Sequence, residues 1–244
     1  MDLVAIYHCG RQTDAAPAEV LSRFREKYPA CAVVMINDGG DRVMESYARM
    51  FHCEYAPCSN VSRNPSCIEL GTAYDAIKYV DRLLAAVPDH DGWVLLLEDD
   101  VWIYDQVVLS HLKYDMCGGR GLALSPSVCM DISRRRKNFP RKGVSSVKSG
   151  GAFLRASFLR AMRGNDTWRK NVNLLFLEEE RSFFSGTLLS ILVYMEGGTV
   201  GPYPGYFEPE FFSFKLFAAM GQGVLRYRCK ILGNQRKKFS KHAE

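Results

Sequence analysis

Apolar and polar positions alternate along this chain in blocks rather than residue by residue. Residues 3–7 are continuously apolar, residues 8–16 are polar, and from Pro17 onward Val20, Leu21, Phe24 and Tyr28 recur at helical spacing. The unit then repeats. Residues 32–36 form a second apolar run that ends in Asn37, Asp38, Gly39, Gly40 and Asp41, ahead of an amphipathic segment carrying Val43, Tyr47 and Met50. Residues 53–67 read as irregular, broken by Pro57, Asn60, Asn64 and Pro65. A long helix follows with Ala73, Ile77, Val80, Leu84 and Val87 on its apolar face, closed by Pro88 and Gly92, and residues 93–97 form the most hydrophobic strand of the chain.

Strands that are apolar on both faces and separated by helices predict an α/β fold with a mostly parallel central sheet flanked by helices. In such sheets ligands bind beyond the carboxyl ends of the strands. Two polar clusters, residues 37–41 and 98–100, fall at those ends, so both point to one edge. The second half is more mixed. It carries a short strand at residues 122–124, a basic loop at residues 134–142, and a glycine-hinged strand, Ser149, Gly150, Gly151, Ala152, Phe153 and Leu154, followed by a helix. A last helix with Leu188, Ile191, Leu192 and Met195 is a core helix by its length, and Gly197 and Gly198 end it. Residues 226–244 are basic without a hydrophobic period and read as a tail ordered on binding.

The 244 residues, 47% of them hydrophobic, are enough for one sizeable core. We therefore expect a single domain over residues 1–225, with a basic tail over 226–244. A net charge of +5 does not imply a specific nucleic-acid partner, but it suits a negative one such as a nucleotide diphosphate. The eight cysteines form no CxxC pair, which argues against a zinc finger or a thioredoxin-like site and for reduced, buried thiols. No stretch approaches the roughly 20 apolar residues of a membrane helix, and the opening apolar run is too short for a signal peptide. The expected location is cytoplasmic, where the sequons at Asn60 and Asn165 have no role.

Glu98, Asp99 and Asp100 stand between the apolar runs 94–97 and 101–103. Adjacent carboxylates repel, and partial burial adds to the penalty. A divalent cation removes it, and Mg2+ or Mn2+ takes one or two carboxylates together with substrate phosphate oxygens. The alternative is an ordinary solvated charge run.

The stretch Leu97, Glu98, Asp99, Asp100 resembles the DxD-type motif of the GT-A glycosyltransferase superfamily in its EDD form. The stretch from Ile36 to Asp41 is similar to the one that holds the superfamily's nucleotide-contacting acid. Ser149, Gly150, Gly151, Ala152 and Phe153 resemble the glycine-containing strand that borders its acceptor site. The resemblance covers about residues 3–195 and implies a GT-A (Rossmann-like) fold, with residues 1–105 as the nucleotide-sugar-binding half and 106–225 as the acceptor half. It further implies Mn2+ or Mg2+ held by Asp100 with Glu98, donor contacts from Glu98 and Asp99 to the ribose or metal-bound water, and a base or ribose contact from Asp38. Gly150 and Gly151 would border the acceptor. The donor would be a nucleotide-diphosphate sugar, UDP- or GDP-linked, and the acceptor a glycan or glycoprotein hydroxyl. In some members a histidine such as His242 completes the metal shell, but here it lies two residues from the end.

In that reading the metal acts as a Lewis acid on the departing diphosphate, with Arg134, Arg135, Arg136 and Lys137 as candidates to share the task. An inverting reaction, which we expect, also needs a carboxylate to take the acceptor's proton. The superfamily's base lies in an acidic segment at a helix start, which makes Glu179 or Glu180 the candidate in Glu178–Glu180. The helix dipole alone also favours acids there, and a retaining reaction would need no such base. Tyr203, Tyr206, Phe207, Phe211, Phe212 and Phe214 either line an acceptor groove or pack the core. Two other functions compete. A sugar nucleotidyltransferase usually carries a glycine-rich loop after its first strand, where His8, Cys9, Gly10 and Arg11 offer one glycine. A non-catalytic carbohydrate- or nucleic-acid-binding module would use Arg134–Lys137 and Arg236–Lys238 and would not need residues 98–100.

Overall fold

A computed structural model describes residues 2–9, 16–40, 42–58, 69–89, 91–99, 101–177, 181–207 and 230–232. The first half alternates strand and helix: β1 (Leu3–Cys9), α1 (Ala16–Lys27), β2 (Ala32–Asp38), α2 (Arg42–Met50), β3 (Glu54–Cys58), α3 (Ala73–Ala85) and β4 (Trp93–Leu97). The second half adds β5 (Met116–Gly118), α4 (Pro126–Arg135), β6 (Phe153–Arg155), α5 (Ala156–Arg163), α6 (Thr167–Leu175), α7 (Ser185–Met195) and β7 (Val200–Pro202). These strands form one sheet in the order β7-β5-β6-β4-β1-β2-β3. All are parallel except β6, which runs antiparallel to both neighbours.

Because the strands are apolar on both faces, each face carries its own core. Ile6, Ile36, Val94, Leu96, Met116 and Leu154 pack against α3 to α7. Ala5, Tyr7, Val33, Met35, Leu95 and Leu97 pack against α1 and α2. The expected core helix is α7, where ten of eleven residues are buried. No helix among the described residues is long and apolar enough to cross a membrane.

Several local expectations are corrected. β1 continues through His8 and Cys9, in register with Ile36 and Asn37, so His8 belongs to the strand and not to the loop. The stretch read as irregular contains β3, which pairs with β2 at the sheet edge. Pro57 is tolerated there because an edge strand bonds on one side only. α2 buries Met44 and Ala48 and leaves Val43 and Met50 exposed, so its apolar face lies off the one expected. The strand expected at residues 122–124 spans Arg120–Ala123, with Leu122 exposed. Arg134 and Arg135 form the last turn of α4 instead of a loop, where cations suit the helix dipole. Lys230–Leu232, inside the segment read as a tail, pairs with Val101–Ile103 and with Tyr206–Phe207.

Candidate functional site

Parallel pairing of β2, β1 and β4 brings their carboxyl ends side by side, and with them His8, Asp38, Glu98 and Asp99. β6 enters the sheet antiparallel, so the turn before it reaches the same edge. Gly151 N–H donates to the Leu96 carbonyl, and Leu96 N–H donates to the Ala152 carbonyl, both at 2.8 Å. Ala152 N–H closes the turn on the Ser149 carbonyl at 2.9 Å. Gly151 has φ 78°, the left-handed conformation that the third position of a type II turn needs and that glycine adopts without strain. Glu98 and Ser149, 51 residues apart along the chain, are therefore neighbours, with Gly150–Gly151 directly after Ser149.

Glu98 and Asp99 point to opposite faces of the sheet. Ser149 Oγ donates to Glu98 Oε1 at 2.6 Å and lies 2.8 Å from Ser185 Oγ, where α7 begins. The first turn of α7 rests directly on this backbone: a Cβ added at Gly186 would lie 2.4 Å from the Ser149 nitrogen and 2.5 Å from the Val147 oxygen. On the other face the Tyr7 hydroxyl donates to Asp99 Oδ1. The Glu98 carbonyl accepts from Val101 N–H at 3.0 Å.

Asp38 is held from two sides. Arg82 Nη1 donates to its Oδ1, and His8 Nε2 lies 3.1 Å from its Oδ2. The ion pair is largely buried, with side-chain exposures of 11% for Arg82 and 15% for Asp38. Since a carboxylate only accepts, His8 carries its proton on Nε2. Burial pushes the His8 pKa down to about 4, against the pull of Glu98 and Asp99 and with help from the Arg82 charge. The ring stays neutral and packs on Tyr79, 5.6 Å between centroids. Burial, reinforced by the charge of Glu98, also raises the Tyr79 phenol, which stays protonated. On the opposite face Asn37 receives the Tyr55 hydroxyl at 3.0 Å and donates to the Cys9 carbonyl at 3.4 Å, tying the ends of β1, β2 and β3 together.

Of the residues singled out by sequence, Asp38, Glu98, Asp99, Gly150 and Gly151 share this edge. Asp100, Glu179, Glu180, His242, Phe211, Phe212 and Phe214 lie outside the described residues. Two of the four basic candidates, Arg134 and Arg136, have protein partners of their own. Arg134 pairs with Asp131 at 2.8 Å. Arg136 donates to the Gly198 carbonyl at 2.7 Å, beyond the far end of α7 from Ser149; eleven helical residues span about 16 Å. Tyr203 and Tyr206, 2% and 6% exposed, pack in the core and do not line a groove. Tyr203 meets Phe153 edge-on, and Tyr206 covers Gly119. His8, Tyr7, Arg82 and Tyr79 were not singled out as site residues. The signal for His8 was its period-two step from Ile6 on a strand, hidden by ending that strand too early.

No family model matches the sequence, and no curated protein matches it. Solved structures do resemble the fold. Galactosyltransferase LgtC in complex with donor and acceptor sugar analogs is similar at TM-score 0.52 and 11% identity, over 95% of this chain and 87% of that one. An active-site mutant of LgtC is similar at TM-score 0.50 and 12% identity, over 98% and 94%. A cytidylyltransferase from Leptospira borgpetersenii aligns at TM-score 0.44 and 10% identity, over 84% and 76%, too low to carry an argument. At such identities the likeness shows the architecture alone: the chain has the GT-A, Rossmann-like α/β fold.

Proposed function

We propose that this protein is a metal-dependent glycosyltransferase that moves a sugar from a nucleotide-diphosphate donor, UDP- or GDP-linked, to a hydroxyl of a glycan or glycoprotein with inversion. The observation that carries the reading is the Ser149–Glu98 hydrogen bond at the carboxyl edge. It joins the acids after β4 to the glycine turn before β6, so a donor held at one would meet an acceptor bordered by the other. The similarity in fold to LgtC supports the same reading.

Among the described residues no three His, Cys, Asp or Glu side chains form a metal cluster. The donors at the edge are carboxylate oxygens, which suit Mg2+ or Mn2+, and such ions need only one or two protein carboxylates beside substrate phosphates. In our reading Asp100 and Glu98 would hold the ion, which would offset the charge gathering on the leaving diphosphate. The chain's own groups do the rest. Ser149 fixes the rotamer of Glu98, and Asp99 meets the donor from the Tyr7 face. Asp38, already bound by Arg82 and His8, keeps lone pairs for a ribose or base donor, since a carboxylate offers about four acceptor sites. Gly150 and Gly151 present backbone to the acceptor without side-chain obstruction. Glu179 or Glu180 takes the proton from the attacking hydroxyl.

The test is a thermal-shift screen of UDP, GDP, CDP and dTDP and their common sugars, with and without Mn2+, on the wild type and on Asp100→Ala. We expect stabilisation by one nucleotide that needs metal and disappears in the variant. A folded wild type that responds to no nucleotide would overturn the transferase reading and favour the binding-module function.

A further inference from the structure

A cavity of about 440 Å³ opens away from the acids, between the segment Ser145–Val147, the edge strand β7 and the far end of α7. Its size is that of a small-ligand site. Arg120 and Arg136 are its charged lining residues, and no Asp or Glu lines it among the described residues. Arg120 pairs with Val147 through the strand, and its exposed side chain makes no hydrogen bond or ion pair among the described residues. Arg136 uses Nη1 on the Gly198 carbonyl and meets no carboxylate among them. The rings of Tyr114, Phe139 and Tyr194 complete the walls. The Tyr194 hydroxyl is fixed between the Ser145 and Val200 carbonyls, at 3.2 and 3.4 Å. Tyr114 lies against Gly201, where an added Cβ would fall 2.3 Å from its ring.

Guanidinium groups matched by no protein carboxylate favour an anion, and their planar donor forks fit a carboxylate or phosphate. Aromatic rings beside them offer apolar faces of the kind that cover a pyranose. We propose that this cavity binds an acidic pyranose, a hexuronate or a hexose phosphate, as an anchoring subsite for the acceptor. The acceptor role rests on the transferase reading. The wall strand supplies the connection: Ser145–Val147 runs on to Ser149, which holds Glu98. The four residue steps from Ser145 to Ser149 reach at most about 13 Å, a span suited to a short oligosaccharide.

The experiment is isothermal titration of the full chain with methyl glucuronide, glucose 6-phosphate, methyl glucoside and inorganic phosphate, without nucleotide or metal. An acidic sugar should bind at least about tenfold more tightly than the glucoside, and whichever acidic sugar binds better identifies the anion. Arg120→Gln, on an exposed side chain, and Gly201→Ala, which pushes Tyr114 aside, should each weaken that binding about tenfold. Equal binding of the glucoside, no saturable binding of either acidic sugar, or indifference to Arg120→Gln would overturn the proposal. So would inorganic phosphate binding as well as glucose 6-phosphate. Because no donor is present, these outcomes are independent of the nucleotide screen. Failure there with success here would leave a sugar-acid site on a protein that is not a transferase.

Discussion

His8 makes stability depend on pH in a window where ordinary carboxylates contribute little. In the folded chain its pKa is lowered to about 4, first by burial, so the ring is neutral under ordinary conditions. Asp38 does not rescue the cation, because Arg82 already neutralises that carboxylate. Unfolded, the ring titrates near 6.5. Between the two values the unfolded chain binds a proton that the native chain refuses, so stability is fully present above about pH 6.5 and is lost as pH falls towards 4. From pH 7 to pH 5 this linkage amounts to about 2 kcal/mol. His8→Gln keeps an amide donor for Asp38 and removes the titration. Urea unfolding at pH 7 and pH 5, with chelator present, should therefore show a wild-type loss about 2 kcal/mol larger than the variant's. Glu98, Asp99, Asp38 and Arg82 surround the ring in both proteins, so their own contributions largely cancel. An equal loss in the two proteins would refute the assignment.

Arg82→Met should destabilise by about 3–5 kcal/mol, because Asp38 is left charged and buried; adding Asp38→Asn should recover most of it, both read by urea midpoints. Gly151→Ala places a side chain at φ 78° and should cost about 1–2 kcal/mol in the same assay. Gln at position 179 or 180 should lower kcat by about 10²–10⁴ while leaving donor affinity unchanged by calorimetry; full activity in the double variant would remove these acids from the mechanism.

The sheet was legible because its strands are apolar on both faces, a pattern with few other solutions. The carboxyl edge was legible for the same reason: acids immediately after a buried strand have nowhere else to lie. Second-order choices were not. Glu54–Cys58 has the composition of a loop and becomes a strand only because β2 offers it an edge. α4 announced itself through Ser125, whose side chain accepts from Val128 N–H at 3.3 Å, and Pro126 in the first turn, but its arginines drew the reading towards a loop. Arg82 stood on an apolar helix, and nothing in local spacing pairs it with Asp38, 44 residues earlier. Such partners are set by how α3 crosses the sheet, which the sequence pattern does not encode.

The division of Glu98 and Asp99 between faces leads to a last prediction. Glu98 and Asp99 follow directly on β4, and here Glu98 is tied to Ser149 and α7 while Asp99 is tied to Tyr7. If Glu98 is the carboxylate that joins Asp100 at the metal, the Ser149 side determines how well the ion binds. Ser149→Ala removes one hydrogen bond to Glu98 and the contact with Ser185, and with them the constraint that holds the carboxylate in one rotamer. We expect the Mn2+ concentration for half-maximal thermal shift, at saturating nucleotide, to rise about tenfold, the equivalent of one charge-assisted hydrogen bond. Tyr7→Phe acts on the opposite face and should leave that concentration within about twofold, while weakening nucleotide binding through Asp99. Ser149→Thr, which keeps the hydroxyl, should restore the metal response. The reverse pattern, with Tyr7→Phe moving the metal titration and Ser149→Ala not, would transfer the ion from Glu98 to Asp99.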